Sequence, residues 1–286
     1  MKICLFWNET AGGGVSLDRL TSSITRAGHR VTRIVEKDED LRQHLRDGFD
    51  CLAAAGGDGT IARAARALAG GDVPLAILPL GTANNIATSL AIEGKIDQLI
   101  DRWTAKNVAR IDLGRVDASG AQEYFLESVG FGLVTDTIAT ARNTIAKDNP
   151  DTHLEDARQL YVEMLDRLQP RHYSMRIESD VVAGDYVLVE ALNTPLIGPG
   201  LNLTPDTNAA DGLLSVVAIA AVDRAALSCY LKKLRKGSTD DAAFKSWRTA
   251  ELEVHGADRM HIDDRIEDVD GPIRIRIAPA ALPILT

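Results

Sequence analysis

The sequence predicts two domains: an N-terminal α/β domain with three layers around a parallel sheet, and a β-rich antiparallel sandwich as the second domain. Strand-like and helix-like segments alternate over the first 110 residues, which is typical of a parallel sheet covered by helices. Near Arg110 the pattern changes to closely spaced strands with hairpin turns. The length of 286 residues favours two domains, expected at 1–112 and 113–278, with the tail at 279–286 packing back on the first.

Four strands and four helices are expected in the first domain. The first helix begins after Ser16, whose hydroxyl can cap it, and the last has apolar residues at helical spacing. The predicted strands span 2–7, 30–35, 50–55 and 75–78, and the predicted helices span 17–27, 38–46, 61–69 and 96–103. In such domains ligands bind at the carboxyl ends of the strands.

The second domain is predicted to consist mainly of strands. Two helices, at 134–146 and 154–168, are separated by a turn-rich segment at 147–151. The predicted strands span 111–116, 125–129, 173–178, 185–191, 213–219, 250–255 and 273–277. Their close spacing favours antiparallel pairing.

Composition limits the classes of partner. The net charge of −9 and the pI of about 5.2 argue against nucleic acid. The longest apolar run, at 213–222, is about half the length of a membrane span. Three widely separated cysteines and an N-terminus without a signal peptide predict a cytoplasmic protein. The basic run at 232–236 is a candidate for peripheral contact with anionic lipid, although a solvated helix end is favoured at roughly three to one.

The segment at 53–60, Ala-Ala-Ala-Gly-Gly-Asp-Gly-Thr, is the main candidate site. A buried strand ends in three closely spaced glycines, and a helix of strong helix formers follows. Backbone N–H groups in this setting can hold phosphate, and glycine allows close approach. Asp58 repels phosphate unless a divalent cation lies between the two. The alternative is a tight turn built on Asp-Gly. On glycine content alone, the turn and the phosphate site are equally well supported.

Two motifs carry a resemblance to a known family. Gly-Gly-Asp-Gly-Thr at 56–60 resembles the motif shared by diacylglycerol kinases, sphingosine kinases, NAD kinases and phosphofructokinases. Leu-Pro-Leu-Gly-Thr-Ala-Asn-Asn-Ile-Ala at 78–87 resembles the block of the diacylglycerol kinase catalytic family, and NAD kinases differ there. Asn8 and Gly12 also match the Asn-Pro-x-x-Gly segment of lipid kinases, in which Glu9 replaces the proline.

This resemblance implies a fold like that of NAD kinase and diacylglycerol kinase, with ATP and Mg²⁺ as cofactors. The residues expected to bind the nucleotide are Asn8, Gly56, Gly57, Asp58, Gly59, Thr60, Ile61, Gly81, Thr82 and Asn84. Asp58 is expected to help place Mg²⁺, and is therefore also a candidate catalytic residue.

A second metal site is implied by the segment at 205–214, which resembles a block that binds a structural Mg²⁺ in soluble bacterial members of the family. The matching ligands are Asn208, Asp211 and the carbonyl of Leu213. Oxygen ligands of this kind suit a hard cation. The alternative is a β-turn built on Asp-Gly, favoured at roughly three to one when the resemblance is set aside.

The resemblance fails at the general base. Family members use the last residue of Asp-Gly-Glu or Asp-Gly-Asp, and the matching triplet here is Asp263-Asp264-Arg265. Arginine stays protonated and cannot accept the proton of an attacking alcohol. A rival register, at 268–272, puts proline at the base position. Asp263, Asp264 or Glu267 could take the place of the missing base. The alternative, which is equally well supported, is that this acidic cluster is a solvated turn.

The expected function is therefore an ATP-dependent, lipid kinase-like activity that phosphorylates a diacylglycerol-type lipid or another small-molecule alcohol, weakened by Arg265. One alternative is a non-catalytic nucleotide or lipid sensor. The other is an NAD kinase-like small-molecule kinase, against which the block at 81–84 counts. The sequence leaves homodimer formation open.

Overall fold

The computed structural model describes residues 1–11, 14–45, 48–144, 150–238 and 244–286. The chain divides into two compact units, Met1–Leu113 with Pro279–Thr286, and Gly114–Ala278. Gly12 and most of the predicted turn at 147–151 lie outside the described residues. Among the described helices, none combines the length and the apolar character needed to cross a membrane.

The first unit is an α/β domain with a parallel sheet. Its strands are β1 (Lys2–Trp7), β2 (Arg30–Glu36), β3 (Cys51–Gly56) and β4 (Leu75–Pro79), and its helices are α1 (Leu17–Arg26), α2 (Leu41–His44), α3 (Asp58–Leu68), α4 (Asn85–Ser89) and α5 (Ile96–Asp101). The strands pair in parallel in the order β4–β3–β1–β2. Near the C-terminus of the chain, Ile284 pairs in parallel with Leu75 of β4.

The centre of this sheet is β3, which is buried along its whole length. A strand covered on both faces needs a continuous run of apolar residues, and β3 supplies small ones. The helix α1 starts as expected, because the Ser16 hydroxyl accepts the N–H of Arg19 at 3.3 Å. The helix predicted at 38–46 is wrong in length, since Glu39 folds back and its carboxylate accepts the N–H of Glu36. Among the described residues at 38–45, Leu41–His44 alone are helical.

The second unit is built mainly from antiparallel strands. They are β5 (Val108–Ala118, which begins in the first unit), β6 (Ala121–Phe125), β7 (Ser128–Gly132), β8 (Arg171–Ile177), β9 (Asp180–Leu192), β10 (Leu196–Ile197), β11 (Leu201–Asn202), β12 (Leu214–Ala220), β13 (Ser246–Thr249), β14 (Glu251–His255), β15 (Arg259–Ile262), β16 (Arg265–Asp268) and β17 (Ile273–Leu285, which ends in the first unit). The helices are α6 (Leu133–Thr144), α7 (Pro150–Arg167) and α8 (Arg224–Arg235). The long strand β9 pairs antiparallel with β7, β8 and β12. The two units together confirm the predicted fold class.

Several elements of the second unit differ from the predicted ones. The single strand predicted at 125–129 is wrong, since β6 ends at Phe125 and β7 begins at Ser128. The chain breaks there because the N–H groups of Leu126 and Glu127 bind a carboxylate of a distant residue, Asp263. The hairpin of β15 and β16 was not predicted, and of helix α8 only the end at 232–236 was expected. The basic run at 232–236 forms the end of α8.

A buried contact between a carboxyl group and an imidazole ring crosses three adjacent strands of the second unit. Gly130 of β7 lies opposite Glu190 of β9 on one side and opposite His261 of β15 on the other. Glu190 is fully buried, and its Oε2 lies 3.3 Å from Nε2 of His261. The glycine makes this contact sterically possible, because a Cβ at position 130 would stand 2.2 Å from the Glu190 carboxylate.

We expect Gly130→Ala to lower the free energy of unfolding by about 1–3 kcal/mol, since the methyl group overlaps a buried carboxylate that cannot swing into water. Chemical denaturation measures this. Gly184→Ala is the matched control in the same unit, because its Cβ would meet the Tyr186 ring no closer than 3.5 Å. Equal stability of the two variants would show that the Glu190 side chain does not pack against Gly130.

Candidate functional site

The first glycine-rich loop lies where β3 passes into α3. The strand ends at Gly56 and the helix starts at Asp58, so Gly57 is the single connecting residue. The N–H groups of Thr60 and Ile61 both donate to the carbonyl of Gly57, at 2.9 and 3.1 Å. A Cβ at Gly56 would stand 2.5 Å from the Thr60 hydroxyl oxygen, so only glycine allows this tight a turn. The helix N-terminus is thereby fixed directly at the carboxyl end of the central strand.

The second loop, whose single glycine is Gly81, follows β4 and touches the first. A Cβ at Gly81 would stand 2.5 Å from Cα of Gly57, so the two backbones are in contact. The N–H of Leu80 also donates to the carbonyl of Gly56 at 2.9 Å. Asn84 closes the loop: its side chain accepts the N–H of Gly81 and donates to its carbonyl, each at 2.9 Å. Asn84 has a left-handed backbone with φ of +51°, which asparagine tolerates better than most residues.

Asp58 connects the two loops electrostatically. Its Oδ1 accepts the N–H of Ile86, at the start of α4, at 3.0 Å. Burial raises the pKa of Asp58, and the backbone N–H groups of Ile86, Asn85, Asp58 and Asn84 oppose that rise. The carboxylate is therefore directed at backbone amides within the protein.

All ten residues predicted to bind nucleotide lie in the first unit, at or after the ends of β1, β3 and β4. Asn8 follows β1, and its amide donates to the Thr60 hydroxyl at 3.4 Å. Thr82 is exposed at the tip of the second loop. Ile61 is fully buried, and its N–H donates to the carbonyl of Gly57. Gly56 and Thr60 are buried as well, so the exposed or partly exposed surface of the candidate site comes from the other seven residues.

Asp263, the first candidate for a catalytic acid or base, lies in the turn between β15 and β16. Only 5% of it is exposed, and its backbone is left-handed with φ of +51°. Its Oδ1 accepts the N–H groups of Leu126 and Glu127 at 3.0 and 2.8 Å, and its own N–H donates to the carbonyl of Ser128 at 2.9 Å. These bonds fasten the turn to the start of β7, which is a structural use of the carboxylate.

Arg265, at the position of the usual base, is held by two carboxylates of its own unit. It forms an ion pair with Glu123 of β6, and its Nη1 lies 3.5 Å from Oε1 of Glu267. The side chain of Arg265 is 34% exposed, so its charge is partly removed from water. Arg265 therefore joins the hairpin of β5 and β6 to the hairpin of β15 and β16.

The residues of the implied structural metal site do not fit a magnesium ion. Oδ1 of Asp211 accepts the N–H of Leu213 at 3.1 Å, while its other oxygen forms an ion pair with Arg248. Oδ1 of Asn208 accepts the N–H of Ala210 at 3.1 Å. Nη1 of Arg248 also donates to the carbonyl of Asp206 at 2.9 Å, so a guanidinium already supplies the positive charge in this loop. Within the described part of the chain, no three His, Cys, Asp or Glu side chains cluster as metal ligands.

Sequence reasoning missed Arg248, because its strand β13 was not predicted and its partner lies 37 residues away. It also missed Glu123, the main partner of Arg265. The Ser119-Gly120 turn predicts the hairpin that contains Glu123, but it does not pair Glu123 with Arg265, which lies 142 residues away. For Arg248 the sequence carries no comparable local signal.

Comparison with known proteins agrees with this arrangement of an α/β unit with two glycine loops and a β-rich unit. The family model of the diacylglycerol kinase catalytic domain matches residues 2–116. The model of the YegS C-terminal NAD kinase beta sandwich-like domain matches residues 142–286. These matches define a two-domain protein of the lipid kinase-like class. The chain belongs to the diacylglycerol kinase and YegS family, as the sequence motifs predicted.

Individual relatives cover nearly the whole chain. A protein named diacylglycerol kinase from Mycobacterium tuberculosis is 28% identical over 307 residues, covering 99% of this chain and 94% of that protein. A "Probable lipid kinase YegS-like" from Stenotrophomonas maltophilia is 28% identical over 277 residues, with 88% of each chain covered. The crystal structure of a diacylglycerol kinase from Bacillus anthracis has a TM-score of 0.75 at 18% identity, covering 99% of this chain and 96% of that one, which shows a shared fold.

We expect the stability of the protein to be the same in magnesium and in chelator, because Arg248 already neutralises Asp211. A cation that binds only the folded state would raise the melting temperature. Asp211→Asn should lower the free energy of unfolding by about 1 kcal/mol, as for a partly exposed ion pair, and equally in both solutions. Arg248→Gln is the matched variant and should cost a similar amount. Magnesium stabilisation that is present in the parent and lost in Asp211→Asn would restore the metal assignment.

Proposed function

We propose that the protein is an ATP-dependent kinase that transfers the γ-phosphate of ATP to a hydroxyl of a diacylglycerol-type or related lipid. The observation that carries this proposal is the contact between Gly57 and Gly81, which sets two glycine loops side by side at the carboxyl ends of β3 and β4. In a parallel sheet this edge is the usual place for a ligand. Family membership supports phosphoryl transfer as the reaction.

The chemistry expected of the first unit is the binding of phosphate. The loop after β3 runs directly into the N-terminus of α3, where backbone N–H groups and the helix dipole favour an anion. The exposed hydroxyl of Thr82 lies in the second loop. Phosphoryl transfer depends mainly on positioning and on neutralising charge, and Mg²⁺ bound with the nucleotide would supply much of that neutralisation. We assign no protein ligand to that ion.

The proposed activity is slow, because Arg265 stands at the usual position of the base and the carboxylate of Asp263 is used for structure. Asp263 is buried and binds backbone amides, and Arg265 is paired with Glu123 and Glu267. General-base catalysis typically contributes about 10²–10⁴-fold. Loss of this contribution leaves a weak enzyme if ATP and the lipid are still positioned together.

The same observations favour a second candidate function, a non-catalytic sensor of nucleotide or lipid. A protein that keeps the glycine loops but uses Asp263 and Arg265 for structure can bind nucleotide or lipid without transferring phosphate. The two candidates differ in one measurable property, the transfer of phosphate.

The proposal includes a cellular setting. Cys4 and Cys51 are free and buried, which suits a reducing compartment and supports a cytoplasmic protein. The exposed lysines at the end of α8, Lys232 and Lys236, are the part of the chain we propose for peripheral contact with anionic lipid.

The decisive experiment is transfer of radiolabelled γ-phosphate from ATP to diacylglycerol, to other lipids and to small alcohols. We expect slow labelling of a lipid by the parent. Gly57→Val should raise the dissociation constant for ATP at least about tenfold, since even a Cβ there would lie 3.3 Å from Cα of Gly81 and overpacking typically costs about 1–3 kcal/mol.

The control for Gly57→Val is Gly184→Ala, which lies in the second unit and should leave ATP binding unchanged. Circular dichroism shows whether each variant is folded. ATP binding without labelling of any acceptor would leave the sensor candidate. Unchanged ATP affinity in folded Gly57→Val would exclude the glycine loops as the nucleotide site.

A second test concerns the base position. Arg265→Glu alone should be less stable than the parent, because it sets three carboxylates together at positions 123, 265 and 267. Combined with Glu123→Gln and Glu267→Gln, it should be stable and should phosphorylate lipid at least about tenfold faster than the parent, at the low end of general-base catalysis. The matched control carries Arg265→Gln with the same two changes. Equal rates in the two triple variants would mean that residue 265 takes no part in proton transfer.

A further inference from the structure

The carboxylate of Asp58 stands in a loop proposed to bind phosphate, where a negative charge is unfavourable. One explanation is a metal ion between carboxylate and phosphate. The structure gives the carboxylate a different partner, the backbone at the start of α4. Oδ1 of Asp58 lies 3.0 Å from the N–H of Ile86, which is fully buried.

The start of α4 needs such an acceptor. The first N–H groups of a helix have no partner within the helix, and α4 follows Asn84, whose side chain makes no cap to that helix. The Asn84 side chain is directed at Gly81 instead. Because the residues at 85–87 are buried, water does not replace the missing acceptor. Asp58, the first residue of α3, supplies this acceptor.

Two contacts therefore fix the second glycine loop at its two ends. At one end, Gly81 packs on Gly57 and is bound by Asn84. At the other end, Ile86 is bound by Asp58, the residue next to Gly57. The carboxylate thus joins the same two loops that the glycine contact joins, and no metal ion is required to explain its position.

We propose that Asp58 is a positioning residue that holds the loop after β4 against the loop after β3, and that it acts on ATP through loop position and not as a magnesium ligand. This inference rests on the proposed function, since it concerns how the same loops bind ATP. The residue type fits: an ionised carboxylate accepts N–H bonds and is roughly twice as strong an acceptor as a neutral group.

The test compares Asp58→Asn with Asp58→Ala. Asparagine keeps a carbonyl oxygen that can accept the N–H of Ile86, but it is a poor ligand for Mg²⁺. Alanine removes both properties. For each protein we would measure the dissociation constant for ATP at fixed magnesium, the magnesium concentration that gives half-maximal ATP binding, and amide exchange at 84–88.

If Asp58 is a positioning residue, Asp58→Ala raises the dissociation constant for ATP by about tenfold or more, the loss expected for a buried hydrogen bond to a charged group. It also speeds amide exchange at 84–88. Asp58→Asn retains most of the ATP affinity and the slow exchange. The magnesium requirement of both variants stays within about twofold of the parent, an effect too small for the loss of a charged ligand.

The inference is overturned if Asp58→Asn raises the magnesium requirement tenfold or more while exchange at 84–88 stays slow, since that result identifies a ligand. It is also overturned if Asp58→Ala leaves the exchange unchanged. Should Asp58→Ala fail to fold, Asp58→Asn alone decides through its magnesium requirement. A parent that binds no ATP would overturn the proposed function together with this inference, whereas the other two results leave the proposed function intact.

Discussion

The contact between Gly57 and Gly81 is the constraint on which the rest of the candidate site depends. Any side chain at position 81 would place its Cβ 2.5 Å from Cα of Gly57, so the loops after β3 and β4 can meet only if this residue is glycine. Their meeting fixes where α3 starts and where Thr82 and Asn84 lie. A loop rich in glycine loses much conformational entropy on folding, and the bonds made by Asn84 and Asp58 offset that loss.

Charged side chains at all three candidate sites are used to hold other parts of the protein in place. Asp58 binds the start of α4, Asp263 binds the start of β7, and Asp211 binds Arg248. Each of these carboxylates was a candidate for metal binding or catalysis. An ionised carboxylate that is partly removed from water needs donors, and in this chain the protein supplies them. The first unit keeps its glycine loops intact, while in the turn at 263–265 Asp263 binds backbone amides and Arg265 is paired with carboxylates.

The fold class could be predicted because its signals are local. The run of small apolar residues at 53–55 marks a central strand, and the glycines after it mark the loop. Helix α8 also had a local signal, since Leu227, Leu231 and Leu234 repeat at helical spacing. The partners of the candidate residues could not be predicted, because they are distant in sequence: Asp263 binds an amide 137 residues away, and Arg265 binds Glu123 142 residues away. Motifs identify residue types at a site, whereas only the fold shows which atoms those residues already bind.

The central claim is that the two touching glycine loops form the nucleotide site, and hydrogen–deuterium exchange of the whole chain with and without ATP and magnesium tests it most directly. We predict that ATP slows exchange at 56–61 and at 80–86 together, because both loops must enclose the same phosphates. Exchange in the segment at 204–213, where Arg248 binds Asp211 and no metal ion is needed, should be unchanged. Slowed exchange confined to other segments, or to only one of the two glycine loops, would contradict the account.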